Sequence, residues 1–248
     1  MIKFLKIGTI LIIMALLIIS AVFSYKKLSD TKCQEVKVLI ENSSYRFVNE
    51  ESIREQVMNI DSLVFKKNMR QINAEFIETG LEKISVIEKA EVYDGIFGCP
   101  WKFKGRLIVR VLQRTPVFRV MGESGNFYVD SSGEKIGMTP EKAKKMIVVT
   151  GFLKNRKDIE KMLPFIKYLS EDDFWKSQIQ QIYRYENGEI KIIPLIGNQI
   201  IEFGGIENYR EKLRNLKALY EQGFSKIGWQ KYSNINLKFK DQIVCTKR

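Results

Sequence analysis

Two pairs of adjacent acidic residues are the most obvious candidates for catalysis in this sequence. Glu50-Glu51 and Asp172-Asp173 could supply the two carboxylates that hydrolyse a glycosidic bond. Neighbouring side chains diverge in a helix and in a strand, however, so adjacent acids do not converge on one bond. Both pairs are more typical of solvated charge or of the first turn of a helix. We therefore predict no catalytic residue and a protein that is not an enzyme.

The chain has no histidine and three cysteines that are far apart in the sequence. The missing histidine excludes imidazole acid–base catalysis, Ser-His and Cys-His nucleophilic sites, and histidine metal ligands. Cys33, Cys99 and Cys245 form no CxxC motif, and their spacing predicts neither a zinc site nor a disulfide framework. We expect no cofactor, no metal and no small-molecule substrate.

The charge balance is strongly basic. The 248 residues include 41 Lys and Arg against 29 Asp and Glu, which gives a formal net charge of +12. Such a charge suits anionic surroundings such as lipid headgroups, nucleic acid or a cell wall. The cations are scattered, and no Gly-rich phosphate loop, RNP-like aromatic motif or zinc-knuckle spacing accompanies them. A solvated basic surface is therefore favoured, and nucleic acid is not an expected partner.

An apolar segment lies near the N-terminus. Ile7–Phe23 contains no charged residue, and its length is at the lower limit for crossing a hydrocarbon core of ~30 Å. Lys3 and Lys6 precede it and Lys26 and Lys27 follow it, so they can reach the two interfaces. A cleaved signal peptide is the alternative, but no clear cleavage site follows the segment. We predict a retained membrane helix, whose similar flanking charges do not decide its orientation.

A short polar tether leads to a first group of elements in the order β-α-α-β-β. Asn49 is expected to cap the first helix, and a Gly-rich turn region around Gly95–Gly105 to join the last two strands. The predicted elements are Glu35–Ile40, a helix through Met58, a helix near Arg70–Lys83, Val86–Tyr93 and Arg106–Arg114. This pattern indicates a small α+β unit whose helices cover one face of a three-stranded sheet. The tether, Tyr25–Lys32, is too short to let that unit move far from the membrane.

From Pro116 the pattern becomes strand-rich. Asn187-Gly188 is the strongest hairpin signal, and Gly223 is expected to end the last helix at its C′ position. The predicted strands are Val117–Val120, Asn126–Asp130, Met146–Thr150, Ile179–Tyr185, Glu189–Leu195 and Gln199–Phe203, with helices around Ile159–Leu169 and over Glu207–Gln222. The second unit is therefore predicted as a β meander with helices packed on one side.

The C-terminal run Ile235–Cys245 alternates apolar and polar residues as a half-buried strand does. Asp241 interrupts its apolar face, which predicts a bulge or a tight turn near Lys240-Asp241. A terminal strand often lies at a sheet edge, where unpaired N–H and C=O groups can accept another chain. From periodicity alone, a plain final strand protected by its own lysines is the favoured interpretation.

The order of these elements and four local motifs resemble the FtsQ/DivIB family of cell-division proteins. The motifs are Gln113-Arg114-Thr115-Pro116-Val117, Tyr128-Val129-Asp130-x-x-Gly133, Ile235-Asn236-Leu237-Lys238-Phe239 and Gln242-Ile243-Val244. The sequence departs from the family pattern at Asn236, where Asp is usual, and at Gln113, where Glu is common. It also departs in the loop around Cys99-Pro100-Trp101, which is longer than expected.

The resemblance implies an α+β architecture of four parts: a cytoplasmic tail at 1–6, a transmembrane helix at 7–25, a POTRA-like domain at 33–115 and a β domain at 116–248. It implies a non-enzymatic divisome scaffold of the inner membrane that links early and late division proteins in septation, with its C-terminal domains in the periplasm. The implied partners are the lipid bilayer, divisome components bound by the POTRA domain, and an FtsB/FtsL-like subcomplex captured by strand addition. The implied contact residues are Tyr232, Asn236, Phe239, Gln242, Ile243 and Val244. A membrane-anchored cell-wall hydrolase, or another wall-binding envelope protein, is the alternative.

Overall fold

Residues 2–29, 31–41, 45–99, 102–122, 125–138, 146–224, 228 and 230–248 are described by a computed structural model of the chain. The side chains of residues 2–9, 27–29, 99, 102 and 103 lie outside this description, and so do residues 100–101 and 123–124. The expectations for the side chains of Lys3, Lys6 and Lys27 and for the Cys99-Pro100-Trp101 loop therefore fall outside the described residues. The chain divides into two units, Met1–Gln113 and Arg114–Arg248.

The described residues of the first unit form three α-helices and one three-stranded sheet. These elements are α1 Ile2–Ser29, β1 Cys33–Glu41, α2 Glu50–Ile60, α3 Ala74–Glu82, β2 Ile87–Cys99 and β3 Lys102–Gln113. The sheet order is β1-β3-β2, with β1 parallel and β2 antiparallel to the central β3. The β-α-α-β-β order is confirmed. Among the described residues, no helix combines the length and the apolarity that a membrane crossing requires.

Asparagine side chains decide where α2 and α3 begin. The Asn49 side chain accepts the Ser52 N–H at 2.8 Å, and the Ser52 hydroxyl accepts the Asn49 N–H at 3.2 Å, so the predicted cap is confirmed. The helix predicted near Arg70–Lys83 begins later than expected. Asn73 caps α3 by accepting the Phe76 N–H at 3.0 Å, and a separate 3₁₀ turn at Met69–Gln71 precedes it.

The Gly-rich region was expected to be a turn, but its described residues, 95–99 and 102–105, lie in the paired strands β2 and β3. Gly95 pairs with Arg106, and Ile96 pairs with Gly105. A Cβ atom on Gly105 would lie 2.6 Å from the carbonyl oxygen of Lys32 and 2.7 Å from the sulfur of Met69. Glycine is therefore required at this position for close packing of the strand and not for reversal of the chain.

The described residues of the second unit form three α-helices and one sheet of nine strands. The strands are β4 Pro116–Gly122, β5 Gly125–Asp130, β6 Lys135–Gly137, β7 Val148–Gly151, β8 Ile179–Arg184, β9 Ile190–Pro194, β10 Ile200–Gly204, β11 Tyr232–Asn236 and β12 Val244–Lys247. The helices are α4 Arg156–Glu171, α5 Asp173–Gln178 and α6 Tyr209–Ala218. The strand order is β12-β11-β10-β9-β8-β7-β4-β5-β6. The apolar side chains of the helices and the sheet form one core, which includes Phe118, Phe165, Trp175, Ile182 and Phe203.

Two local expectations for this unit have different outcomes. The hairpin at Asn187-Gly188 is confirmed, since Gly188 has φ +86° and joins the antiparallel strands β8 and β9. The helix stop at Gly223 is wrong, because the chain continues from α6 through a π-helical turn over Leu219–Phe224. Tyr220 and Phe224 are both buried in the core with their rings 5.5 Å apart, and this packing requires the additional turn.

Candidate functional site

The C-terminal run forms a hairpin and not one interrupted strand. The expected single strand over Ile235–Cys245 is wrong, whereas the tight turn predicted near Lys240-Asp241 is confirmed. Asp241 has φ +57°, a left-handed conformation that Asp tolerates better than most residues. The Asn236 side chain accepts the Lys238 N–H at 2.9 Å, an Asx-type bond that directs the chain out of β11. The turn then returns the chain to β12.

The strand β12 lies at one end of the nine-stranded sheet and pairs only with β11 among the described strands. The Arg248 N–H donates to the carbonyl oxygen of Lys231 at 3.2 Å. Because the direction of the peptide groups alternates along an antiparallel pair, those of Val244 and Thr246 also face β11. The C=O group of Ile243 and the peptide groups of Cys245 and Lys247 therefore face away from the sheet. This edge can accept the backbone of another strand.

The six residues expected to contact a partner are all in the C-terminal hairpin, but their side chains differ in accessibility. Phe239 is 55% exposed and Val244 is 45% exposed, which is high for large apolar side chains. Gln242 is also exposed, while Ile243 is half-buried against the core. Tyr232 stacks on Phe224 with 5.7 Å between ring centroids, and Asn236 holds the turn. Tyr232 and Asn236 therefore have evident structural roles.

A groove of about 240 Å³ lies between α6 and the turn of the hairpin. One side carries Glu211 and Asn215 of α6 and Glu207 just before that helix, and the other side is formed by 237–243. This helix face was not among the predicted contact residues. The signal that could have revealed it is the polar spacing i, i+4, i+8 in a segment already predicted to be a helix.

Two lysines give this end of the sheet its electrostatic character. The Lys238 ammonium donates to Glu189 at 2.6 Å, which raises the pKa of Lys238 and lowers the pKa of Glu189. The Lys212 ammonium donates to the carbonyl oxygens of Phe203 at 3.0 Å and Gly205 at 2.8 Å. Burial lowers the pKa of Lys212, although these two acceptors hold its charge in place. Lys238 therefore links the residues after β11 to Glu189, and Lys212 links α6 to the backbone at the end of β10.

The family-motif residues before the β domain support local structure. Gln113 is buried at the end of β3, and its side-chain oxygen accepts the N–H groups of Phe47 at 3.0 Å and Val48 at 3.2 Å. A neutral amide can fill this role without burying a charge, which accounts for Gln at a position where Glu is common. Pro116 begins β4, where its missing N–H is tolerated.

The second motif centres on Asp130, a buried carboxylate at the end of β5. It accepts hydrogen bonds from the Arg114 guanidinium at 2.7 Å, the Ser132 N–H at 2.8 Å and hydroxyl at 2.7 Å, and the Glu134 N–H at 2.9 Å. Burial alone would raise the pKa of Asp130, but these hydrogen bonds outweigh it and lower the pKa. Gly133 completes the turn with φ +84°. This cluster lies at the opposite end of the sheet from β12.

The acidic pairs do not form a site. Glu50 and Glu51 occupy the first turn of α2, and Asp172 caps α5 by accepting the Trp175 N–H at 3.0 Å. Among the described residues, no three carboxylate or cysteine side chains lie close enough together to hold a metal ion. Cys33 is buried and Cys245 is half-buried, and neither is in a disulfide.

Comparison with known protein families gives two matches. A family described as "FtsQ/DivIB, C-terminal related" matches residues 115–246, which is more than half of the chain. A POTRA-like domain matches residues 31–96. A search of curated proteins found no match. The two matches together cover β1, α2, α3 and most of β2 in the first unit, and nearly the whole second unit.

Proposed function

Because the chain belongs to the FtsQ/DivIB family of cell-division proteins, we propose that it is a non-enzymatic scaffold of the divisome. It links early and late division proteins and captures an FtsB/FtsL-like subcomplex by strand addition along β12. The observation that carries this proposal is the open edge of β12, where backbone groups of three residues face away from the sheet. The family match over residues 115–246 supports the division role itself.

Strand addition at β12 uses both the backbone and the side chains of the hairpin. The outward C=O group of Ile243 and the outward peptide groups of Cys245 and Lys247 provide affinity that is independent of the partner's sequence. The exposed side chains of Phe239 and Val244 provide apolar contacts for alternate residues of the added strand. The groove beside α6 accommodates a segment that continues from that strand, and its lining of both acidic and basic side chains suits a polar segment.

The remaining parts of the proposal concern the membrane and the POTRA-like domain. Apart from Ser20, the side chains of α1 from Ile10 to Phe23 are exposed and apolar, which supports burial of this helix in a bilayer. With the short N-terminal tail in the cytoplasm, both folded units lie in the periplasm. The POTRA-like domain, whose β1 and β2 are both sheet edges, contacts other divisome components.

Co-purification tests the scaffold role. A tagged full-length chain, extracted from its own membranes, is expected to bring down FtsB- and FtsL-like proteins that mass spectrometry identifies. Removal of Val244–Arg248 is expected to abolish their recovery. A chain without the tag measures the background binding of these proteins to the resin. Equal recovery with and without β12 would overturn the proposed capture site.

A topology reporter tests the orientation separately. Alkaline phosphatase is active only in the periplasm, so its fusion to Arg248 is expected to be active in intact cells. The same reporter fused directly after Lys6 is expected to be inactive and serves as the matched control. An inactive C-terminal fusion would place the folded units in the cytoplasm and contradict the assignment.

A further inference from the structure

The segment between α2 and α3 displays apolar side chains that the core does not use. We call residues 61–71 the α2–α3 loop. Leu63 is 48% exposed and Phe65 is 38% exposed, while Val64 between them is fully buried. The side chains of Leu63 and Phe65 are therefore both exposed to solvent, one on each side of the buried Val64. A pair of this kind on a small domain indicates an interaction surface.

The exposure of Leu63 and Phe65 is not a result of a poorly held segment. The Asp61 carboxylate accepts the Leu63 N–H at 3.2 Å and pairs with the Lys67 ammonium at 2.6 Å. The Val64 N–H donates to the Asp61 carbonyl oxygen at 3.1 Å. Together with the burial of Val64, these bonds fix the loop in one conformation.

The α2–α3 loop lies beside the residues that immediately follow α1. The Met69 N–H donates to the Thr31 carbonyl oxygen at 3.0 Å, and the Cys33 N–H donates to the Lys67 carbonyl oxygen at 3.3 Å. The Arg70 guanidinium lies 4.2 Å from the centroid of the Tyr25 ring, near the end of α1. The loop is therefore held next to the point where the chain leaves the apolar helix.

The charge of the loop matches an anionic surface. Lys66 and Arg70 are exposed, and neither has a carboxylate partner among the described residues. The loop contains one acidic residue, Asp61, which is buried and already paired with Lys67. Apolar side chains flanked by cations that have no carboxylate partner are typical of a surface that binds at the membrane interface.

We infer that the α2–α3 loop docks on anionic phospholipid headgroups, with Leu63 and Phe65 entering the interface and Lys66 and Arg70 binding phosphates. This inference rests on the proposed membrane anchoring of α1. Its contribution is a second attachment point, which fixes the orientation of the first unit against the bilayer where a single helix would leave it free to rotate.

Hydrogen–deuterium exchange of the full chain in nanodiscs tests the inference. The amides of 62–70 are expected to exchange at least fivefold more slowly in phosphatidylglycerol nanodiscs than in phosphatidylcholine nanodiscs. The combined variant Leu63→Ser, Phe65→Ser, Lys66→Glu, Arg70→Glu is expected to remove this difference. The matched control, Phe239→Ser with Lys240→Glu, changes an exposed aromatic and a cation in the other unit and is expected to retain it.

Two further readouts separate the possible failures. Exchange of the β3 amides reports whether each variant is folded, because Val109 and Val111 are fully buried there. A folded chain that stays in the nanodisc but exchanges equally in both lipids overturns the docking of the loop and leaves the anchor intact. A chain that does not stay in the nanodisc overturns the anchor, and this inference with it.

Discussion

Lys247→Pro and Ile243→Pro are each expected to weaken capture of the partner strand by about tenfold or more while the second unit remains folded. Lys247→Pro removes an outward N–H from β12, Ile243→Pro places a proline directly before that strand, and in both variants the proline ring obstructs the approach of another backbone. A lost hydrogen bond of roughly 1 kcal/mol together with this steric clash accounts for the magnitude. Lys247→Pro is the cleaner variant, since the Lys247 side chain is exposed and Ile243 packs partly on the core.

The matched control is Thr246→Pro, one residue away on the same strand. The Thr246 peptide group faces β11, so this substitution removes a bond inside the hairpin and is expected to lower the melting temperature. Val244→Pro is also expected to lower the melting temperature, because the Val244 peptide group faces β11. The sequence pattern alone does not distinguish this variant from Ile243→Pro. Titrated pull-down and thermal unfolding measure the two effects. Wild-type capture by a folded Lys247→Pro variant would contradict strand addition.

Asp130→Asn is expected to lower the free energy of unfolding of the second unit by about 2–4 kcal/mol at neutral pH. The asparagine amide cannot accept from Arg114, Ser132 and Glu134 at the same time, and it leaves the Arg114 guanidinium without its carboxylate. Urea unfolding of both chains measures the loss. Asp241→Asn is the control, because Asp241 is exposed and Asn also tolerates its left-handed conformation.

The Asp130 carboxylate also makes the free energy of unfolding of the second unit depend on pH. The pKa of Asp130 is lowered in the folded protein, so its contribution is fully present above the unfolded pKa of about 3.9 and is lost as the pH falls through the folded pKa. The wild-type chain is therefore expected to lose stability more steeply than Asp130→Asn as the pH falls from about 5 to about 3. Parallel slopes for the two chains over that range would rule out this role for Asp130.

The features that the sequence predicted are those decided by neighbouring residues. The cap at Asn49, the hairpin at Asn187-Gly188 and the turn at Asp241 all depend on the conformational preferences of one or two residues and on hydrogen bonds within four positions. Side-chain chemistry at this range is visible in a sequence pattern. The apolar alternation of the terminal run was likewise visible, although it did not reveal that the run contains two strands.

What could not be predicted depends on contacts between distant residues. Nothing local indicates that β11 pairs in parallel with β10. Nor does anything local indicate that the face of α6 with Glu211 and Asn215 lies beside the hairpin turn. The need for glycine at position 105 has the same origin, because the atoms that exclude a side chain belong to Lys32 and Met69. Such constraints leave no periodic pattern near the residue that they affect.

The parallel pairing of β10 and β11 also has a consequence for the time at which the binding edge forms. An antiparallel hairpin closes locally, but β11 reaches β10 only after the whole crossover through α6 has been placed, and closing so long a loop is entropically slow. The hairpin of β11 and β12 is therefore expected to join the sheet late in folding. A partner that recognises β12 then binds only chains whose core is already folded. Assembly with this partner therefore selects folded chains.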